Sequence, residues 1–100
     1  MNTETRVQLL LAMQASLLDC VSRNVRGVTC GANGQNIIIR VFFDGPISKD
    51  DRETMDEMAT EVASNFKTEL VDLECIQVDA PLPYIGDGLE LWAYRRKEVQ

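Results

Sequence analysis

A chain of 100 residues has room for one domain, spanning 1–100, and its 45% hydrophobic and 26% charged composition fits a globule with a real core. Sixteen acids against ten bases leave a net charge of −6, which argues against binding nucleic acid by phosphate neutralisation. The chain has no histidine, so Ser–His and Cys–His nucleophile pairs, histidine bases and His-containing zinc sites are excluded together.

Thr3 to about Asn24 lacks Gly and Pro and repeats Val7, Leu10, Leu11, Leu18 and Val21 at three- and four-residue spacings. This predicts a helix capped by Thr3, with Glu4 in its first turn. Leu9, Met13 and Leu17 widen its apolar stripe, so the helix is either deeply buried or carries a second contact surface. Arg26–Gly31 is a short strand candidate weakened by two glycines, and Ala32-Asn33-Gly34-Gln35 supplies a hairpin turn. Asn36–Asp44 is the clearest strand, with Ile37, Ile39, Val41 and Phe43 on one face and Ile38, Arg40 and Phe42 on the other.

Gly45 and Pro46 end that strand, and Ser48 with Asp51 three residues later opens a second helix in a capping-box-like arrangement. Its core stripe is Met55, Met58, Ala59, Val62, Ala63 and Phe66, while Glu53, Glu57 and Glu61 form an acidic stripe on another side. Leu70–Ala80 reads as a strand, Pro81 and Pro83 as a stiff connection, and Gly86-Asp87-Gly88 as a turn. The last strand, Leu89–Arg95, closes a second hairpin, with Leu91 and Ala93 on one face and Trp92 and Tyr94 on the other. The order α-β-β-α-β-β predicts an α+β fold with two helices on one face of a four-stranded, mainly antiparallel sheet.

Cys20, Cys30 and Cys75 are odd in number, widely spaced and free of any CxxC, so they read as free, mostly buried thiols rather than a disulfide framework or zinc site. There is no Walker loop, GxGxxG or GxSxG, and Asp50, Asp51 and Asp56 do not follow a calcium-loop spacing. No catalytic residue, cofactor or metal is expected. The start of the chain lacks the basic region of a signal peptide and no apolar run approaches membrane-spanning length, which points to a cytoplasmic protein.

Charge is unevenly placed. Residues 1–43 carry +2 and residues 91–100 carry +2, whereas residues 44–90 hold thirteen acids against Lys49, Arg52 and Lys67, a balance of −10. Such a segment attracts basic partners and repels nucleic acid. The carboxylates that adjoin aromatic side chains along the expected second hairpin are Asp72, Glu74, Asp79, Asp87 and Glu90, beside Trp92 and Tyr94. That set is the preferred partner-binding patch, with Glu53, Glu57 and Glu61 as the alternative.

The stretch Phe42-Phe43-Asp44-Gly45-Pro46-Ile47-Ser48, the later Ala59-Thr60-Glu61-Val62, and the ending Leu91-Trp92-Ala93-Tyr94-Arg95-Arg96-Lys97-Glu98 resemble small bacterial immunity proteins of contact-dependent growth inhibition and related polymorphic toxin systems. The resemblance covers roughly residues 25–98. It implies a cytosolic, non-enzymatic inhibitor that binds a cognate toxin domain, often a nuclease, and it carries no catalytic residues. An acidic protein of this kind would occupy the toxin's basic active-site cleft, with no direct contact to nucleic acid or membrane. The alternative is a small acidic adaptor or homo-oligomeric interaction protein with no toxin partner.

Overall fold

The computed structural model describes residues 1–98, so the last two residues of the expected 1–100 unit lie outside the described residues. Its elements are α1 (Thr3–Ser16), β1 (Val25–Asn33), β2 (Asn36–Phe43), α2 (Lys49–Ala63), β3 (Leu70–Gln77), a single 3-10 turn (Ile85–Asp87) and β4 (Leu91–Arg95). The α+β order is the expected one.

The strands form one mixed, mostly antiparallel sheet in the order β3-β2-β1-β4. β1 pairs antiparallel with β2 through the two-residue turn Gly34-Gln35, where Gly34 takes φ +62°. β4 pairs antiparallel with the other side of β1, and β3 pairs parallel with β2. The expected second hairpin is therefore corrected: β3 and β4 are the two opposite edges of the sheet. Joining β2 to a parallel neighbour takes a crossover of a dozen or more residues, which α2 supplies. The chain must then travel from one edge to the other, and residues 78–90 do so across the sheet.

Both helices contribute to one core with the inner face of the sheet. Leu9, Ala12, Met13 and Leu17 of the first helical segment and Met55, Met58, Ala59 and Val62 of α2 pack with Val28, Cys30, Ile37, Ile39, Val41 and Phe43. The α2 stripe is as the spacing predicts, and Ser48 caps it by accepting a hydrogen bond from Asp51 N–H at 3.0 Å. α1 departs from expectation in three ways. Its cap is Asn2, whose Oδ1 accepts from Thr5 N–H at 2.8 Å, not Thr3. It stops at Ser16, because Asp19 turns the chain at φ 64° and Val25 is drawn fully into the sheet. And the buried stripe is Leu9, Met13 and Leu17, so Val7, Leu11 and Leu18 face solvent.

Candidate functional site

The outer face of the sheet, away from the helices, is set by register. Glu74, Arg40 and Thr29 lie in one row across β3, β2 and β1, with Trp92 of β4 completing it. Asp72, Ile38 and Gly31 form the next row, and Ile76, Phe42 and Gly27 the row on the other side. The crossover 78–90 lies on this face and is fastened to it. Tyr84 Oη donates to the Arg26 carbonyl at 2.8 Å, Arg40 Nη1 donates to the Asp87 carbonyl at 2.7 Å, and Leu89 N–H donates to Thr29 Oγ1 at 2.9 Å.

The crossover covers an aromatic cluster rather than leaving the face open. Phe42 is fully buried beneath Tyr84 and Trp92, with ring centroids 5.2 and 6.2 Å away, and Tyr84 meets Trp92 edge-on at 5.9 Å. Gly27, one of the two glycines that weaken β1 as a sequence signal, and Gly88 in the crossover make this possible. A Cβ at Gly27 would come within 2.8 Å of Tyr84 Cε2 and 3.0 Å of Trp92 Cζ3, and a Cβ at Gly88 would overlap the indole.

A polar clamp at one end holds the crossover and the C-terminal segment together. Arg26, only 2% exposed, forks onto Glu98 through Nε and Nη2 at 2.8 and 2.9 Å and donates Nη1 to the Val78 and Leu82 carbonyls. Its guanidinium also lies 4.4 Å over the Tyr84 ring. Arg96 links Glu98 to Asp44, and Asp44 accepts a further hydrogen bond from Ala80 N–H at 3.0 Å. The Ala80 N–H and the Arg96 side chain hold the Asp44 carboxyl below its ordinary range, and the Arg26 side chain does the same for Glu98.

The seven expected partner-binding residues do not form one patch. Asp72, Glu74, Asp87 and Glu90 belong to the outer face or its rim and are exposed, and Trp92 is half-buried on the same face at its β4 edge, opposite β3. Arg40 ties the group together by pairing with Glu74 at 3.0 Å while holding the Asp87 carbonyl. Asp79 stands beyond the far end of β3, where its Oδ1 accepts from Gly45 N–H at 2.8 Å and fixes a turn. Tyr94 is on the other side of the sheet. A bulge between Val28 and Thr29 in the β1–β4 register sets Trp92 opposite Thr29 and Tyr94 opposite Val28, so Trp92 points outward and Tyr94 toward α1. The alternative acids Glu53, Glu57 and Glu61 are exposed on α2, on the helix side of the molecule.

Sequence reasoning missed Arg26, Tyr84, Arg96 and Glu98 as the clamp, and it missed Leu82 and Ile85, which the crossover leaves 59% and 51% exposed. Nothing in local spacing marks a connection that folds back over a sheet face. All three cysteines are free thiols, with Cys30 buried and Cys20 and Cys75 partly so. Among the described residues no group of three acidic or cysteine side chains is arranged to hold a metal ion, and no helix is long and apolar enough to cross a membrane. Residues 6–98 match a family model described as MafI2 immunity protein. Among curated proteins no match to the chain was found.

Proposed function

The chain belongs to the MafI2 immunity protein family of polymorphic toxin (MafB) systems and acts as a non-enzymatic neutraliser of a cognate toxin; we propose that the toxin is a nuclease and that the outer sheet face fills its basic active-site cleft. Family membership decides against an adaptor without a toxin partner. A nuclease grips its polyanionic substrate with positive charge, and an inhibitor that mimics the substrate's potential competes for the same surface. The observation that carries the reading is an outer face bordered by exposed carboxylates, Asp72 and Glu74 on the β3 edge and Asp87 and Glu90 on the crossover, with the half-buried Trp92 on the opposite, β4 edge.

The carboxylates supply steering, which lifts association toward about 10⁸–10⁹ M⁻¹s⁻¹ at low salt, and Trp92 supplies the apolar anchor that slows release. Leu82 and Ile85 extend the apolar part of the same face along the crossover. Tyr94, on the helix side, drops out as an anchor, and Asp79 serves the loop instead of the partner. Such an inhibitor works in the cytoplasm of the cell that makes it, where its three thiols stay reduced.

The test is neutralisation of the purified cognate toxin domain in a nucleic-acid cleavage assay. Trp92→Ala is expected to raise the inhibitory concentration by an order of magnitude or more, a loss of roughly 2 kcal/mol. Tyr94→Ala is expected to leave it unchanged once folding is verified. A toxin domain with no nuclease activity, or equal effects of the two substitutions, overturns the proposal.

A further inference from the structure

A second surface remains unaccounted for, on the opposite side of β4 from the aromatic cluster. Val7, Leu11 and Leu18 are 51%, 61% and 71% exposed; Val7, Leu11 and Gln14 follow a 4-3 spacing along α1, and Leu18 lies in the turn just beyond its end. That spacing keeps them on one seam, as in helices that pack against another helix. Beside the seam runs a groove of about 430 Å³ lined by Leu10, Leu17, Val21, Ala93 and Tyr94 and bordered by Trp92. Its far wall is β4, whose outer edge has no neighbouring strand.

The two sheet edges are treated differently. β3 carries Asp72 and Glu74 on its exposed face, the kind of charge that discourages further pairing. β4 reads Leu-Trp-Ala-Tyr-Arg and bears charge only at its end, at Arg95, with Glu90 just before its start. Exposed apolar surface next to an unguarded edge marks an interaction site.

Charge identifies the occupant. The acidic segment 44–90 contributes Glu90 at the β4 edge and, from α2, Glu57 and Glu61 near Cys20, while the other charges come from the two stretches that each carry a positive balance. A basic toxin has no reason to prefer this face over the acidic one. The charges that are present complement themselves under a two-fold rotation, which reverses the direction of both α1 and β4. Glu90 at the start of one β4 meets Arg95 at the end of the other, and Arg6 near the start of one α1 meets Asp19 beyond the end of the other. We infer that a second copy of this chain docks here, through an isologous interface in which the α1 seams pack together and the β4 edges lie antiparallel. Glu90, Trp92 and Arg95 lie where the β4 edge meets the outer face, so the two surfaces share that margin, and it is the leucine seam that separates the dimer from the toxin reading.

Sedimentation velocity of the full chain, without toxin, over about 1–200 µM covers a micromolar dissociation constant. The weight-average mass is expected to rise with concentration from 11.2 kDa toward twice that value. Leu11→Glu and Leu18→Glu, at exposed positions, are expected to keep the native circular dichroism spectrum and raise the dissociation constant about tenfold or more. Glu90→Arg and Arg95→Glu are each expected to weaken the dimer, and the two together to restore it. A chain that stays monomeric, a dimer that survives both leucine substitutions, or charge reversals without rescue overturns the inference. The two leucine substitutions, which fall outside the residues proposed to meet the toxin, are expected to leave the cleavage assay unchanged, so failure of the dimer and failure of the toxin reading are told apart.

Discussion

Replacing Arg26 by Met keeps most of the side-chain volume and removes the centre of the clamp. Glu98 then retains Arg96 alone, and the Val78 and Leu82 carbonyls lose their charged donor. Removing one partner of a buried ion pair costs about 3–5 kcal/mol, and Glu98, at 23% side-chain exposure, recovers some solvation, which places this pair at the low end. The two carbonyls add about 1 kcal/mol each. The sum, about 5 kcal/mol, is a large part of the roughly 5–15 kcal/mol that stabilises a domain of this size. Urea denaturation followed by tryptophan fluorescence measures it directly, since Trp92 belongs to the cluster the clamp supports. The midpoint is expected to fall steeply, and a double-mutant cycle with Glu98→Gln should give a coupling of about 1 kcal/mol or more. A loss below about 1 kcal/mol for Arg26→Met would refute the view that this buried charge holds the crossover in place.

The clamp also gives the protein an acid limit. The Asp44 and Glu98 carboxyls titrate lower in the folded chain than in the unfolded one, so their stabilisation is complete above the ordinary carboxylate range, about pH 4, and is lost as pH falls through their folded values. The melting temperature should drop below that range, and less steeply in an Asp44→Asn, Glu98→Gln double variant. Burial pushes the Cys30 thiol up to about 12, so alkylation at neutral pH should modify Cys20 and Cys75 first and reach Cys30 only on unfolding. Val62→Ala should cost about 1–3 kcal/mol in urea denaturation and Glu57→Ala within about 0.5 kcal/mol, because only the first side chain is in the core. Equal costs would contradict the facing of α2.

Patterns confined to one element were legible in the sequence, whereas those set by the path of the chain were not. The α2 stripe and the alternation of β2 each follow from one period, and both faces are as read. α1 and the turn that follows it hold two interleaved apolar stripes, Leu9-Met13-Leu17 and Val7-Leu11-Leu18, and periodicity alone cannot say which one the sheet takes. The possibility of a second contact surface was visible there all the same. Trp92 and Tyr94 share a face in an ideal strand, but one bulged residue moves Tyr94 to the other side. The separation of β3 from β4 depends on residues 78–90 crossing the sheet. That crossing is fixed by Arg26, Arg40 and Thr29, which are distant in sequence from the segment they hold.

The claim that the acidic outer face meets a basic cleft is tested most directly by association kinetics with the cognate toxin domain across a salt series. Asp72, Asp87 and Glu90 changed together to Lys take the chain from −6 to zero and leave the Glu74–Arg40 pair intact. The association rate at low salt should fall about tenfold or more, and the gap should close toward 1 M salt, where the Debye length is about 3 Å. An association rate that is independent of salt, or unchanged by the three reversals, would contradict it.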